Sequence, residues 1–130
     1  MDGSATETIL VVDDERLIRV LAQAGLERYG YHVLTADSGQ MGCELFAQHR
    51  HEIALVLADV LMPDMTGPEM AALMLRKKPG VKIVFFTATI DAVDEPVRHT
   101  FPVLLKPLAV SALAKAIRAC LDDPSVSSAP

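Results

Sequence analysis

Short apolar runs alternate along the chain with longer segments whose apolar residues recur at helical spacing. The runs are Thr8 to Val12, Val33 to Ala36, Ile53 to Ala58, Val81 to Phe86 and Val103 to Leu105. Such alternation is the pattern of strand–helix units that build a parallel sheet. The run Ile53 to Ala58 has no polar alternation, so it predicts a strand covered on both faces. A first helix is predicted from Glu15 to Tyr29, with Ile18, Leu21, Ala22, Leu26 and Tyr29 inward and Gly30 as its stop. Asp37-Ser38 caps a second helix through Gln48, with Leu45 and Phe46 inward, and Pro68 opens a third carrying Met70, Leu73 and Met74 inward. Between Asp91 and Thr100, Val93 and Val97 offer little to bury and Pro96 interrupts, which predicts a fourth helix of about two turns. The last helix, Ser111 to Leu121, lines up Leu113, Ala116, Ile117, Cys120 and Leu121.

Right-handed crossovers then give an α/β, doubly wound, flavodoxin-like fold of five parallel strands in the order 2-1-3-4-5. The predicted division is an N-terminal extension over 1–7, one domain over 8–121 and a tail over 122–130, with Ser125 to Pro130 frayed. A chain of 130 residues suits one core.

A net charge of −5 disfavours a nucleic-acid partner. The one basic run, Arg76-Lys77-Lys78, closes a predicted helix before Pro79-Gly80, where cations suit the helix dipole. No apolar stretch approaches the ~18 residues of a membrane span, and Met1-Asp2-Gly3-Ser4 lacks the order of a signal peptide, so the expected location is cytoplasmic. Cys43 and Cys120 read as small core residues of helices, and His49 and His51 as surface residues.

The candidate chemistry lies where the apolar runs stop. Asp13-Asp14 follows the first run, Asp59 the third, Thr87 the fourth and Lys106-Pro107 the fifth. Taken singly, each has an ordinary role, as helix cap, turn residue or strand end. At the same end of neighbouring parallel strands they converge on the edge where open α/β sheets bind ligands. Crowded carboxylates repel by about 4 kcal/mol per pair at an effective dielectric near 20. They need a cation, and an all-oxygen set without His or Cys suits Mg²⁺ and a phosphoryl group.

Four segments in order, Val11-Val12-Asp13-Asp14-Glu15, Asp59 through Gly67, Thr87-Ala88 and Lys106-Pro107, resemble the response-regulator receiver domain, the phosphoacceptor module of two-component signalling. The resemblance covers about Thr8 to Leu121. It implies that Asp59 accepts a phosphoryl group from a histidine kinase or histidine phosphotransfer protein. It implies Mg²⁺ held by Asp14, Asp59 and the Leu61 backbone carbonyl, with Asp13 acting through water. Lys106 would neutralise phosphoryl oxygens and Thr87 would supply a hydroxyl donor. The expected protein is a phosphoacceptor and not a turnover enzyme, a monomer or weak dimer without nucleic-acid or membrane partners. Most receivers carry an aromatic three residues before the lysine, where this chain has Val103, and Phe101 is farther off. The shortened segment between Thr87 and Lys106 resembles stand-alone and hybrid-kinase receivers, and it raises an alternative, a non-switching docking module of the same fold. A hydrolase lacks a further base, since Leu61 stands where an aspartyl-nucleophile phosphatase needs a second Asp, and flavin phosphate would be repelled by Asp13-Asp14-Glu15.

Overall fold

The computed structural model describes residues 6–123. Five parallel strands, β1 (Thr8–Val12), β2 (His32–Ala36), β3 (Ile53–Ala58), β4 (Lys82–Thr87) and β5 (Val103–Leu105), pair in the order β2-β1-β3-β4-β5. Helices α1 (Arg16–Arg28), α2 (Gly39–His49), α3 (Gly67–Lys77), α4 (Glu95–Thr100) and α5 (Val110–Asp122) cover the two faces. This is the doubly wound arrangement expected from the run pattern. The proposed extension over 1–7 and tail over 122–130 lie largely outside the described residues.

Successive strand residues point to opposite faces, and that alternation divides the core in two. Ile9, Val11, Leu55, Leu57, Val84 and Phe86 pack with Leu26, Leu113 and Ile117 of α1 and α5. Leu10, Val12, Val56, Ala58, Ile83 and Phe85 pack with Phe46, Met70 and Met74 of α2 and α3. A strand apolar at every position is what a doubly covered centre requires.

Several helix faces differ from the sequence expectation. Leu21 of α1 and Tyr29 at its C-cap are half exposed, and Ala22, Gly25 and Leu26 are the buried residues of the helix. Close packing explains the rotation, because a β-carbon on Gly25 would lie 2.1 Å from a Val110 methyl carbon of α5. In α3, Leu73 faces outward and Ala71 takes the inner place. In α5, Ala114 is buried and Ala116 only partly. Pro96 does not interrupt α4; it sits in the first turn, where its missing N–H has no partner to lose.

Local signals do their expected work elsewhere. The Ser38 side chain accepts from the Met41 N–H to cap α2, and Gly30 stops α1 with a positive φ of 96°. The last residue of the basic run closing α3 is structural: Lys78 Nζ donates to the carbonyls of Arg50 and Ile53 at 2.7 and 2.6 Å. Cys120 is buried and Cys43 half-buried, both as free thiols.

Arg118 of α5 ties three segments together. Its guanidinium donates to Glu7 at 2.7 and 3.1 Å, to Asp122 at 2.9 Å and to the Tyr31 hydroxyl at 3.4 Å. The hydrogen bond from Arg118 holds the Glu7 carboxyl below its ordinary range. Arg118→Ala is expected to cost roughly 1 kcal/mol, because the pairs are only partly buried, and the loss should shrink at high salt. Urea unfolding at low and high salt measures both.

Candidate functional site

The register of the strands sets the positions of the polar residues that follow them. Val12 pairs with Ala58, and the Asp59 N–H donates to the Val12 carbonyl at 2.9 Å. The Asp13 N–H donates to Ala36 and the Lys106 N–H to Thr87, so each strand end is tied to its neighbour. Asp13, Asp14, Asp59, Thr87 and Lys106 thereby lie along one sheet edge, as their places in sequence predicted.

Asp13 and Asp59 are buried, Asp14 is exposed, and one carboxylate oxygen from each lies within 4.8 Å of the others. Lys106 enters this cluster from β5. Its Nζ lies 2.8 Å from Asp13 Oδ2, 3.0 Å from Glu15 Oε1 and 3.5 Å from Asp59 Oδ2. The ammonium also sits over the Phe86 ring, 5.6 Å from its centroid, within cation–π range. Burial alone would depress its pKa, but the hydrogen bonds to Asp13 and Glu15 and the charges of Asp13 and Asp59 together outweigh burial and raise it.

Asp59 is the strained member. Burial first, and the Asp13 carboxylate second, push its carboxyl up to about 6, against the pull of Lys106. Its Oδ1 accepts from the Val60 N–H at 2.8 Å, while Oδ2 faces Lys106. Three crowded carboxylates with oxygen donors only, one of them held unfavourably as an anion, fit a hard divalent cation. Leu61 lies two residues beyond Asp59 at an isolated bridge to Thr66, with its side chain exposed.

Thr87 is buried at the end of β4 and turned toward its own loop, its hydroxyl donating to the Thr89 carbonyl at 3.3 Å. That bond is long for O–H···O and cheap to break. Val103 is half-buried, and Phe101 packs edge-to-face on Phe85, ring centroids 5.4 Å apart.

Three supporting residues escaped sequence reasoning. Glu15 binds Lys106 across 91 positions, and Arg19 Nη1 donates to the Asp13 carbonyl at 2.7 Å. Asp64, in the loop after Asp59, accepts from the N–H groups of Gly39 and Gln40 at 3.0 and 2.8 Å, pinning that loop to the start of α2. Only Glu15 carried a signal, its adjacency to the aspartate pair.

Gly67 holds the other end of the same loop. Its N–H donates to the Val60 carbonyl at 2.8 Å, and a β-carbon there would lie 2.4 Å from the Asp59 carbonyl oxygen. That oxygen is backbone and cannot step aside. Gly67→Ala is therefore expected to destabilise the fold by about 2 kcal/mol, as overpacked sites do, and to displace Asp59. Chemical denaturation and the Asp59 and Val60 amide resonances check the two effects.

A five-stranded doubly wound sheet with an acidic crevice and one lysine at its carboxyl edge puts the chain in the flavodoxin-like α/β class. The profile of the "Response regulator receiver domain" family matches residues 9–118. The chain belongs to that family and is a receiver domain of two-component systems. It is 30% identical over 124 residues to the sensor kinase CckA of Brucella abortus, covering 93% of this chain and 13% of that protein. It is 33% identical to the transcriptional regulatory protein GlrR of Escherichia coli, covering 100% of this chain and 28% of that one. The chain thus spans well under a third of these two relatives. Among solved structures, a receiver domain protein from Clostridium thermocellum superposes with a TM-score of 0.82 at 28% identity, over 89% of this chain and 94% of its own. TrrA from Thermotoga maritima, in complex with Mg²⁺-BeF, gives 0.78 at 29% identity over 87% and 97%. Among the described residues, no helix is long and apolar enough to cross a membrane.

Proposed function

We propose that this receiver takes a phosphoryl group onto Asp59 from the phosphohistidine of a histidine kinase or histidine phosphotransfer protein. The observation that carries this reading is the Asp59 carboxylate, buried beside Asp13 with Oδ2 facing the Lys106 ammonium at 3.5 Å. The Asp59 carboxylate attacks phosphorus, the P–N bond breaks, and its electron pair returns to the donor imidazole. Asp14, Asp59 and the Leu61 carbonyl, with Asp13 through water, would hold Mg²⁺, which offsets negative charge on the phosphoryl oxygens when bound. Lys106 supplies the fixed cation on the other side. Hydrolysis of the acyl phosphate returns the carboxylate, so the chain carries one phosphoryl group and acts as a switch and not as a turnover enzyme.

The added charge of roughly −1.5 to −2 would draw the Thr87 hydroxyl from the Thr89 carbonyl and bias the β4–α4 segment between two states. The complex of TrrA with Mg²⁺-BeF supports the same chemistry by similarity. Incubation with a small-molecule phosphodonor, with and without Mg²⁺, tests it. One phosphoryl group per chain is expected, dependent on Mg²⁺ and absent in Asp59→Asn. Labelling that persists in Asp59→Asn would sink the assignment.

A second reading has one observation in its favour. Phe101 is already packed on Phe85, and the half-buried Val103 takes the place where most receivers carry an aromatic. A docking module with no switch fits that arrangement. Amide shifts on adding beryllofluoride and Mg²⁺ separate the two, since changes reaching Phe101 to Lys106 exclude the non-switching form.

A further inference from the structure

Glu15 occupies the N-cap of α1, yet its side chain makes no capping hydrogen bond. It reaches instead to Lys106 Nζ at 3.0 Å. An ammonium has three hydrogens to donate, and here they face Asp13 at 2.8 Å, Glu15 at 3.0 Å and Asp59 at 3.5 Å. All three are engaged. The carboxylate on which a phosphoryl group would be built has the longest of the three contacts.

The partners differ in how readily they can leave. The Asp13 side chain is 2% exposed and that of Glu15 61%. Asp13 has no water to return to, and its Oδ1 is also held by the Glu15 N–H at 2.9 Å. Glu15 has ready access to water, and an exposed ion pair is worth little. An anion arriving on Asp59 can therefore gain a Lys106 hydrogen by displacing Glu15 alone.

We infer that Glu15 is a positioning residue that competes with the phosphoryl group for Lys106 and is released when that group is present. The inference rests on the phosphoacceptor reading and adds a device to it. In the resting protein, Glu15 keeps the ammonium at the mouth of the crevice and adds a negative charge there. Both effects weaken the hold of the crevice on an anion. When the anion binds, Glu15 turns to solvent and Lys106 is fully committed to Asp13 and the new oxygens. The affinity for the phosphorylated state is thus set partly by a residue that never touches the phosphoryl group.

The test measures beryllofluoride affinity at saturating Mg²⁺ by amide titration of the full chain. Glu15→Gln is expected to tighten binding by about twofold to fivefold, the scale of releasing one surface ion pair. Glu15→Ser, a good N-cap residue that secures the helix, should move it the same way. Through-space repulsion alone would also tighten binding, so the second readout is the Glu15 carboxyl carbon resonance in the Mg²⁺-saturated wild type. It should move to the position of a free glutamate as beryllofluoride fills the site. Unchanged or weaker affinity in both variants, or a stationary resonance, overturns the role of Glu15 while leaving Asp59 as acceptor. A wild type that takes up no beryllofluoride overturns the acceptor reading and this inference with it.

Discussion

Asp59→Asn is expected to unfold at a higher denaturant concentration than the wild type at pH 7 in the presence of a chelator, by about 3 kcal/mol. The figure follows from its pKa, raised from 3.8 to about 6, at about 1.4 kcal/mol per unit. The folded state binds the proton of Asp59 more tightly than the unfolded chain does. The group therefore costs nothing below about pH 4 and its full penalty above about pH 6, with wild-type stability falling between the two. An amide carries no charge to desolvate, and its oxygen can still accept from the Val60 N–H as Asp59 Oδ1 does at 2.8 Å. The gap between variant and wild type should open as pH rises from 4 to 6 and close at the acid end. Mg²⁺ should narrow it at neutral pH, because a ligand of the folded wild type stabilises by RT ln(1 + [L]/Kd). Urea melts across pH, with chelator and with Mg²⁺, read both trends. Equal stability at pH 7 in chelator would show that Asp59 is not the crowded anion described above. The same substitution should eliminate phosphate uptake, so stability and function would move in opposite directions at one residue.

This trade-off was partly visible in the sequence. The strand-end residues were legible because apolar runs stop abruptly and the parallel register places their ends together. Asp13, Asp14, Asp59, Thr87 and Lys106 all lie at that edge in the structure. Helix faces were less legible. A 3.6-residue period does not distinguish Leu21 and Leu73, which face solvent, from the small residues Ala22, Gly25 and Ala71 that permit close packing. The supporting contacts were not legible at all. Glu15 to Lys106 spans 91 positions and Asp64 to Gly39 spans 25, and such pairings exist only once the sheet is assembled. The shortness of α4 followed from sparse apolar positions, but the use of Pro96 as a first-turn residue depended on where the chain enters the helix.

Lys106→Met is expected to cost about 3 kcal/mol in chelator at pH 7.5, the low end for removing one partner of a buried ion pair. The side chains of Lys106 and Asp13 are 9% and 2% exposed, so the carboxylate left behind cannot recover its hydration. Its remaining compensation is the Glu15 N–H on Oδ1 at 2.9 Å. The methionine stem keeps the packing on Phe86, which isolates the loss to charge. Asp59 loses the cation that lowers its pKa and keeps only the Val60 N–H to do so, so its carboxyl should rise further and the deficit should ease as pH falls through that raised value. Mg²⁺ should recover part of the loss by supplying the missing positive charge to the same carboxylates. In the Asp59→Asn background the cost should be smaller, because one of the anions served by Lys106 is already gone. Such non-additivity is expected of residues in one ion-pair network, where coupling runs to about 0.5–3 kcal/mol. A loss that is identical in both backgrounds and indifferent to Mg²⁺ would mean that Lys106 acts by packing alone. The crevice would then have no protein counter-charge, and neither the phosphoryl reading nor the release of Glu15 could stand on its geometry.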